Sequence, residues 1–409
     1  MPTASVDLSP LRILLLIAVL VALVPLAWAT RSRADQTSVT WFRALCATTL
    51  FLTFDLVVFG AFTRLSDSGL GCPDWPGCYG HASPLGAALP IAQAQQALPG
   101  GPVTAQKAWI EMAHRYLASG VGALILVLWV ASWRIARPNW QQSPKVHLAT
   151  ARWPSKNTEA QQLAPRLPSV VLAGLTFAWV CLQGAFGALT VTMKLFPAIV
   201  TLHLLGGMVL LALLTLQVAR LTPSFAVTRP TNPCAHLSRH VNWANAVLVA
   251  QIALGAWVST NYAVLACSEF PLCQGQWWPD MNFAQGFQLW RPLGQTADGA
   301  PVHFSALTAI HWVHRSVAFV LLAVLGSLAW RMRQVVPLRQ HARALAAVLA
   351  IQIASGLSNA LLGWPLIAAL LHTAGAGALV ILLTLTWARC RPESVVIPYP
   401  LASTSGSPA

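Results

Sequence analysis

The stretch GAFTRLSDSGLGCPDWPGC, residues 60–78, returns as GAWVSTNYAVLACSEFPLC at residues 255–273. Gly60-Ala61, Leu70, Cys72, Pro76 and Cys78 recur at a constant offset of 195, as Gly255-Ala256, Leu265, Cys267, Pro271 and Cys273. Two further blocks repeat in the same order. His114-Arg115 returns as His314-Arg315, at an offset of 200. Gln183-x-Ala185-x-Gly187 with Leu202-His203-x-x-Gly206 returns as Gln352-x-Ala354-x-Gly356 with Leu371-His372-x-x-Gly375, at an offset of 169. Self-similarity kept in order along a chain marks a duplicated architecture. The changing offset places insertions and deletions between the blocks.

What is duplicated is membrane-spanning. Of 409 residues 56% are hydrophobic and 9% charged, with mean hydropathy +0.61, where a soluble chain carries roughly a quarter charged residues. Apolar runs long enough to cross a bilayer predict helices at 42–63, 108–133, 170–192, 198–219, 241–262, 304–330, 342–363 and 366–388. An extra apolar run at 11–29 has its basic residues, Arg31 and Arg33, after it rather than before it. It therefore reads as a retained helix with its N-terminus outside, not as a signal peptide. The expected fold is an all-α integral membrane protein of two tandem four-helix bundles in parallel repeat, plus this N-terminal helix. Residues 1–40 hold the extra helix and a linker, 41–220 the first half, 221–391 the second half and 392–409 a Ser/Pro-rich disordered tail.

The net charge of +14 raises the question of nucleic acid. Loops 30–43, 134–169, 220–240 and 331–343, with Arg389 and Arg391, hold 18 of the 25 Lys and Arg. Such alternation is the positive-inside pattern, so the charge reports topology rather than nucleic-acid binding. The segments 64–107 and 263–303 then face outside. Because each half has four helices, both enter the membrane in the same direction, related by an axis along the membrane normal.

His114 and His203 fall about five or six residues inside their helices from the outer end, roughly 8–10 Å deep at about 1.5 Å per residue. His314 and His372 lie at comparable depth. Imidazoles at matched depth on different helices of one bundle can face each other across a flat ligand, and haem iron takes histidine axially. The plainer alternative is four hydrogen-bonded histidines joining helices. His311, one turn before His314, is a rival ligand without a histidine counterpart. In its place the first half has Glu111, three residues before His114. That carboxylate is either an interfacial partner of Lys107 or Arg115, or an acid/base or charge-stabilising group beside one haem. Arg115 and Arg315 stand where haem propionates would be met, or where arginines snorkel. Asp55 has no obvious partner.

Cys72 with Cys78 and Cys267 with Cys273 lie in the outward segments, where disulfides persist. Each pair would close a short loop, as a structural bridge or as a redox-active pair. Cys46, Cys181, Cys234 and Cys390 fall in helices or on the cytoplasmic side.

The run Thr63-Arg64-Leu65-Ser66-x-Ser68-Gly69-Leu70-x-Cys72-Pro73-Asp74-Trp75-Pro76, with Glu111-Met-x-His114-Arg115 and with His203, His314 and His372 in their contexts, resembles the haem A synthase family over about 41–390. That resemblance implies oxidation of one methyl of haem O to a formyl group, giving haem A for terminal oxidases. It implies that His114 and His203 hold the substrate haem, that Glu111 is its essential carboxylate, and that His314 and His372 hold a permanent haem b. Implied partners are membrane lipid, an electron acceptor or donor, haem O synthase and terminal oxidase assembly proteins; a homo-oligomer is compatible. The implied location is a bacterial inner membrane with the cysteine loops outside. The extra helix at 11–29 departs from the family's eight-helix plan. Two other classes compete: a duplicated di-haem b-type electron carrier, and a haem transport or assembly factor without catalysis.

Overall fold

Apolar runs in a membrane must satisfy every backbone N–H and C=O internally, so each becomes a helix. The computed structural model describes residues 10–31, 38–141, 167–222 and 234–391. Its helices are α1 (Pro10–Arg31), α2 (Ser38–Leu65), α3 (Ala88–Ala97), α4 (Ala105–Gln141), α5 (Val170–Thr192), α6 (Pro197–Leu221), α7 (Ser238–Thr260), α8 (Phe283–Gly286), α9 (Phe304–Met332), α10 (Arg339–Leu361) and α11 (Leu366–Cys390). No strand is present among the described residues, and eight helices are long and apolar enough to cross a membrane. The all-α membrane fold is thus borne out. Large apolar side chains face outward along the spans, among them Phe51, Val171, Leu175, Val249, Phe319 and Leu371, as a lipid-facing exterior requires.

Boundaries differ in instructive places. The α4 helix runs to Gln141, two turns past the expected 133. Hydropathy marks where a chain leaves the bilayer, whereas helix propensity carries the helix on through polar residues. Helices α3 and α8 lie in the disulfide-bearing segments 64–107 and 263–303 and carry no membrane-length apolar run, so hydropathy could not find them. The tail 392–409, most of the loops 134–169 and 220–240, and His147 lie outside the described residues.

In the first half α2, α4, α5 and α6 pack as a closed ring, each against the next; in the second half α7, α9, α10 and α11 do the same. The two rings meet where α6 and α2 pack on α11 and α6 packs on α7. Counterparts meet across this junction. Arg64 donates to the Ser259 carbonyl at 2.7 Å and lies 4.0 Å over the Tyr262 ring, while the Tyr262 hydroxyl donates to Asp67 at 2.6 Å. Ser259 is the repeat counterpart of Arg64, and Tyr262 that of Asp67. Residues meet their own counterparts only near a two-fold axis, so the halves are related by a local pseudo-dyad.

The two disulfide-bearing segments repeat in detail. Each holds a disulfide, Cys72–Cys78 or Cys267–Cys273, and a cis proline, Pro76 or Pro271. In each, a carboxylate caps the turn: Asp74 accepts from the N–H groups of Tyr79 and Gly80, and Glu269 from that of Gly275. The α5–α6 and α10–α11 turns match too, with left-handed backbone at Lys194 and Leu195 and at Gly363 and Trp364.

The aliphatic core fills the end away from the disulfides. In the first half Phe42, Leu45, Leu124, Leu128 and Leu214 pack together, and in the second Leu237, Val241, Leu325, Leu328, Leu345 and Leu383. Helix α1 lies along α4 and begins at the disulfide end: Leu14 joins Cys72, Cys78 and Met112 in one cluster. Gly120 admits it, since a side chain there would run into Val21.

Candidate functional site

The histidine level lies between this core and the disulfide loops, and glycines open it. Each of the four histidine rings rests against a glycine of a neighbouring helix. A Cβ built on Gly60 of α2 would sit 3.0 Å from His114 Nε2, and one on Gly255 of α7 3.0 Å from His314 Cε1. Gly356 of α10 would meet His372 Cε1 at 3.2 Å, and Gly187 of α5 would meet His203 Cε1 at 3.6 Å. All four are repeated glycines, and at Gly60, Gly255 and Gly356 the recurrence is explained by room for imidazole; the repeated Gly206 and Gly375 instead make room for Gln183 and Gln352.

Contacts of 3.0 Å leave no space for a methyl, whereas 3.6 Å is ordinary packing. Gly60→Ala and Gly255→Ala are expected to destabilise the protein by about 1–3 kcal/mol through overpacking. Gly187→Ala should be neutral, or stabilising by up to about 1 kcal/mol, because alanine is the better helix former. Thermal unfolding in detergent, followed by circular dichroism, checks this; equal behaviour of all three variants would refute it.

His114 on α4 and His203 on α6 stand within electrostatic reach of each other across the first ring, as do His314 on α9 and His372 on α11 across the second. The structure thus brings together the members of each expected pair. His311 is buried and turned to the loop, where its Nδ1 lies 3.3 Å from the Cys267 backbone N–H as acceptor.

Glu111 does the same work in the first half and more. Its Oε2 accepts from the Cys72 N–H at 2.8 Å, and its Oε1 accepts from Arg115 Nη2 in an ion pair buried on both sides. The partner is thus Arg115, not Lys107. Position 111/311 anchors the first cysteine of each loop, with a carboxylate in one half and an imidazole in the other.

The two arginines hold the loops. Arg115 Nη1 donates to the carbonyls of Asp74 at 2.9 Å, of Pro76 at 3.3 Å and of Gly77. Arg315 donates to the carbonyls of Leu272 at 3.2 Å and Cys267 at 2.9 Å. Each His-Arg step therefore presents a ring toward the bundle and a guanidinium to the loop above it. Cys46, Cys181, Cys234 and Cys390 take part in no disulfide among the described residues. Asp55 is exposed on the outer face of α2.

Sequence reasoning missed several neighbours. Gln251 and Ser355 touch the second-half histidines, and a search for counterparts of apolar residues at the repeat offsets would have raised them. Arg291, 1% exposed, donates to Asn261 Oδ1 and, at 3.3 Å, to the Gln295 carbonyl, pinning the long outer segment to the end of α7. Burial pulls its guanidinium below the usual range. Trp290 beside it packs tilted against Phe196, with ring centroids 4.7 Å apart, and ties that segment to the first half. Nothing in the sequence marks this arginine, because none of the repeated blocks covers it.

Fold and site together define a duplicated helical membrane protein with two buried histidines within electrostatic reach of each other in each half. A family model described as cytochrome oxidase assembly protein matches residues 43–385, and the chain belongs to that family. It is similar to "Heme A synthase" of Shewanella oneidensis, 35% identical over 349 residues that cover 84% of this chain and 94% of that protein. "Heme A synthase" of Halalkalibacterium halodurans is 26% identical over 322 residues, covering 76% and 85%. "Heme A synthase" of Allorhizobium ampelinum is 29% identical over 365 residues, covering 85% and 89%.

Proposed function

We propose that this chain is a haem A synthase, oxidising one methyl group of haem O to the formyl group of haem A. The observation that carries the reading is an asymmetry inside a duplication. Two like rings each present a histidine pair, yet a buried carboxylate stands one turn from the ligand in the first ring alone. An electron carrier built by duplication has no need of that difference.

The donor set fits haem. Two imidazoles lie within electrostatic reach of each other in each ring, glycines replace side chains beside them, and His203 Nδ1 is buried without a partner among the described residues. In this assignment His114 and His203, in the half spanning 41–220, hold the substrate haem O by its iron. His314 and His372, in the half spanning 221–391, hold a resident haem b, which supplies a one-electron relay when bound. Two successive hydroxylations, each replacing a methyl C–H by C–OH either with oxygen from water and two electrons passed to an external acceptor, or with dioxygen and two electrons from an external donor, would give a geminal diol, which loses water to the aldehyde. Glu111 lies one turn from His114, its Cβ about 5–6 Å from that of the ligand. It is placed to accept a proton from the methyl group or to stabilise positive charge developing there, where low polarity strengthens either action. Arg115 fixes the carboxylate and clamps the loop, and the Cys72–Cys78 and Cys267–Cys273 bridges pin the lids over the two haem sites. In this assignment Arg115 and Arg315 would also meet the haem propionates. The reaction requires an electron acceptor or donor. Its product supplies terminal oxidases, which makes haem O synthase and oxidase assembly proteins natural neighbours.

The deciding experiment is extraction of the porphyrins from purified protein, read by mass spectrometry. Haem O, its hydroxymethyl derivative or haem A beside haem b is expected. Haem b alone in both halves would overturn the assignment in favour of an electron carrier.

The alternation of basic loops supports placement in a bacterial inner membrane with the cysteine loops outside. In intact spheroplasts, an impermeant thiol reagent is expected to label Cys72, Cys78, Cys267 and Cys273 only after an impermeant reductant has been added. Labelling only after the membrane is opened would reverse the topology.

A further inference from the structure

We infer that Gln251 and Ser355 are positioning residues that make the second histidine pair a permanent haem mount, and that their replacement by Leu56 and Phe186 leaves the first pair able to release its porphyrin. This rests on the haem reading above and explains how two copies of one design divide into a substrate site and a cofactor site.

The argument begins with Ser355 on α10. Its hydroxyl donates to the Ile351 carbonyl at 2.7 Å, one turn back. A hydroxyl has one proton, so toward the His372 Nδ1, 3.0 Å away, the Ser355 oxygen acts as acceptor. The Nδ1 position of His372 must then carry the hydrogen. That leaves Nε2 with its lone pair, the tautomer that ligates iron, and the bond to Nδ1 raises the basicity of the ring. His372 is held again by Gln352, whose amide donates to its backbone carbonyl at 2.9 Å.

His314 is steadied from α7. The Gln251 amide donates to the His314 carbonyl at 3.1 Å and lies 3.1 Å from Nδ1. The Gln251 amide thereby fixes the backbone from which the His314 ring projects, and its Oε1 is buried without a partner among the described residues. The first half has neither device. The repeat offset of 195 puts Leu56 where Gln251 stands, and the offset of 169 puts Phe186 where Ser355 stands. Neither side chain accepts a hydrogen bond. Among the described residues, His203 Nδ1 is buried and unpartnered, and no side chain bonds either ring nitrogen of His114. Those rings are placed by packing alone, Gly60 and Phe59 beside His114 and Gly187 beside His203. A ligand whose second nitrogen is not tethered turns and dissociates more readily, and loss of such a partner typically costs about 10–100-fold in affinity.

The test follows haem leaving the full-length holoprotein in detergent for excess apomyoglobin. The parent is expected to transfer haem in a fast and a slow phase, the slow one belonging to the second half. Ser355→Ala and Gln251→Leu should each speed the slow phase by about 10–100-fold, leave the fast phase alone, and raise the midpoint potential of the second-half haem. Ser355→Thr, which keeps the hydroxyl, should restore both rate and potential. In the first half, Phe186→Ser should slow the fast phase, an outcome independent of whether the second-half variants fold. Unchanged slow-phase rate and potential in Ser355→Ala and Gln251→Leu, or no slowing in Phe186→Ser, would overturn the inference. A protein carrying no haem in either half would defeat the functional reading itself. Two haems lost at one common rate, indifferent to these variants, would defeat this inference alone.

Discussion

Glu111→Gln is expected to abolish formation of haem A while the protein still inserts and still binds haem in both halves. Glutamine is the informative replacement because Glu111 has two duties. It accepts the Cys72 N–H and so anchors the disulfide loop, and it carries the charge paired with Arg115. An amide oxygen keeps the first duty and loses the second. The second half already shows that a neutral acceptor suffices for anchoring, since His311 serves Cys267 there. If Glu111 acts on the substrate methyl as base or charge stabiliser, its loss should lower turnover by about 10²–10⁴-fold, the range of positioned general acid–base groups. A host supplied with haem O should then accumulate haem O or the hydroxymethyl form. Undiminished haem A from Glu111→Gln would reduce this residue to a loop anchor. Glu111→Ala should be worse in one respect, because it also leaves the Cys72 N–H and the Arg115 guanidinium without their carboxylate; a buried charge stripped of its partner is costly, about 3–5 kcal/mol. A lower thermal midpoint in the alanine variant than in the glutamine variant would separate the two duties.

His314→Ala or His372→Ala should remove the six-coordinate low-spin haem b spectrum entirely, with the chain still inserted in the membrane. Each variant leaves one imidazole, and nothing near it offers a second. His311 is the nearest candidate, but it is buried and engaged by the Cys267 N–H, one turn away and facing the loop rather than the ring interior. Exchanging that bond for iron would strip the N–H of its acceptor and unfasten the loop, a cost of about 1–3 kcal/mol for one buried donor. Redox difference spectra of purified variants read the result. A full low-spin spectrum in His372→Ala would point to His311 as the true ligand and would require the second-half loop to rearrange.

Much of this protein lies open in its sequence because bilayers impose simple rules. Length and apolarity of a run decide that a helix spans, basic loops decide its direction, and no competing secondary structure is available. The duplication was equally legible, since Cys72, His114 and His203 have counterparts in order. From depth alone the four histidines could be sorted into candidate pairs, for two residues at one level on different helices of a small ring can meet across it.

What the tertiary structure alone decided is which groups touch, because side-chain partners depend on helix rotation and on loop paths that periodicity does not specify. Glu111 was visible as an odd carboxylate, but its bond to Cys72 came from folding a loop 39 residues upstream back onto α4. That the Arg115 guanidinium meets three carbonyls of that loop is likewise known only from the fold. The meeting of Arg64 with Ser259 and of Tyr262 with Asp67 follows from how two rings dock, a matter of interface packing rather than of any one helix. Ser355 was one small residue among many on a helix; only the approach of α11 to α10 set its hydroxyl against His372. Sequence fixes the depth and direction of each helix through its solvent, and the azimuth of each side chain awaits its neighbours.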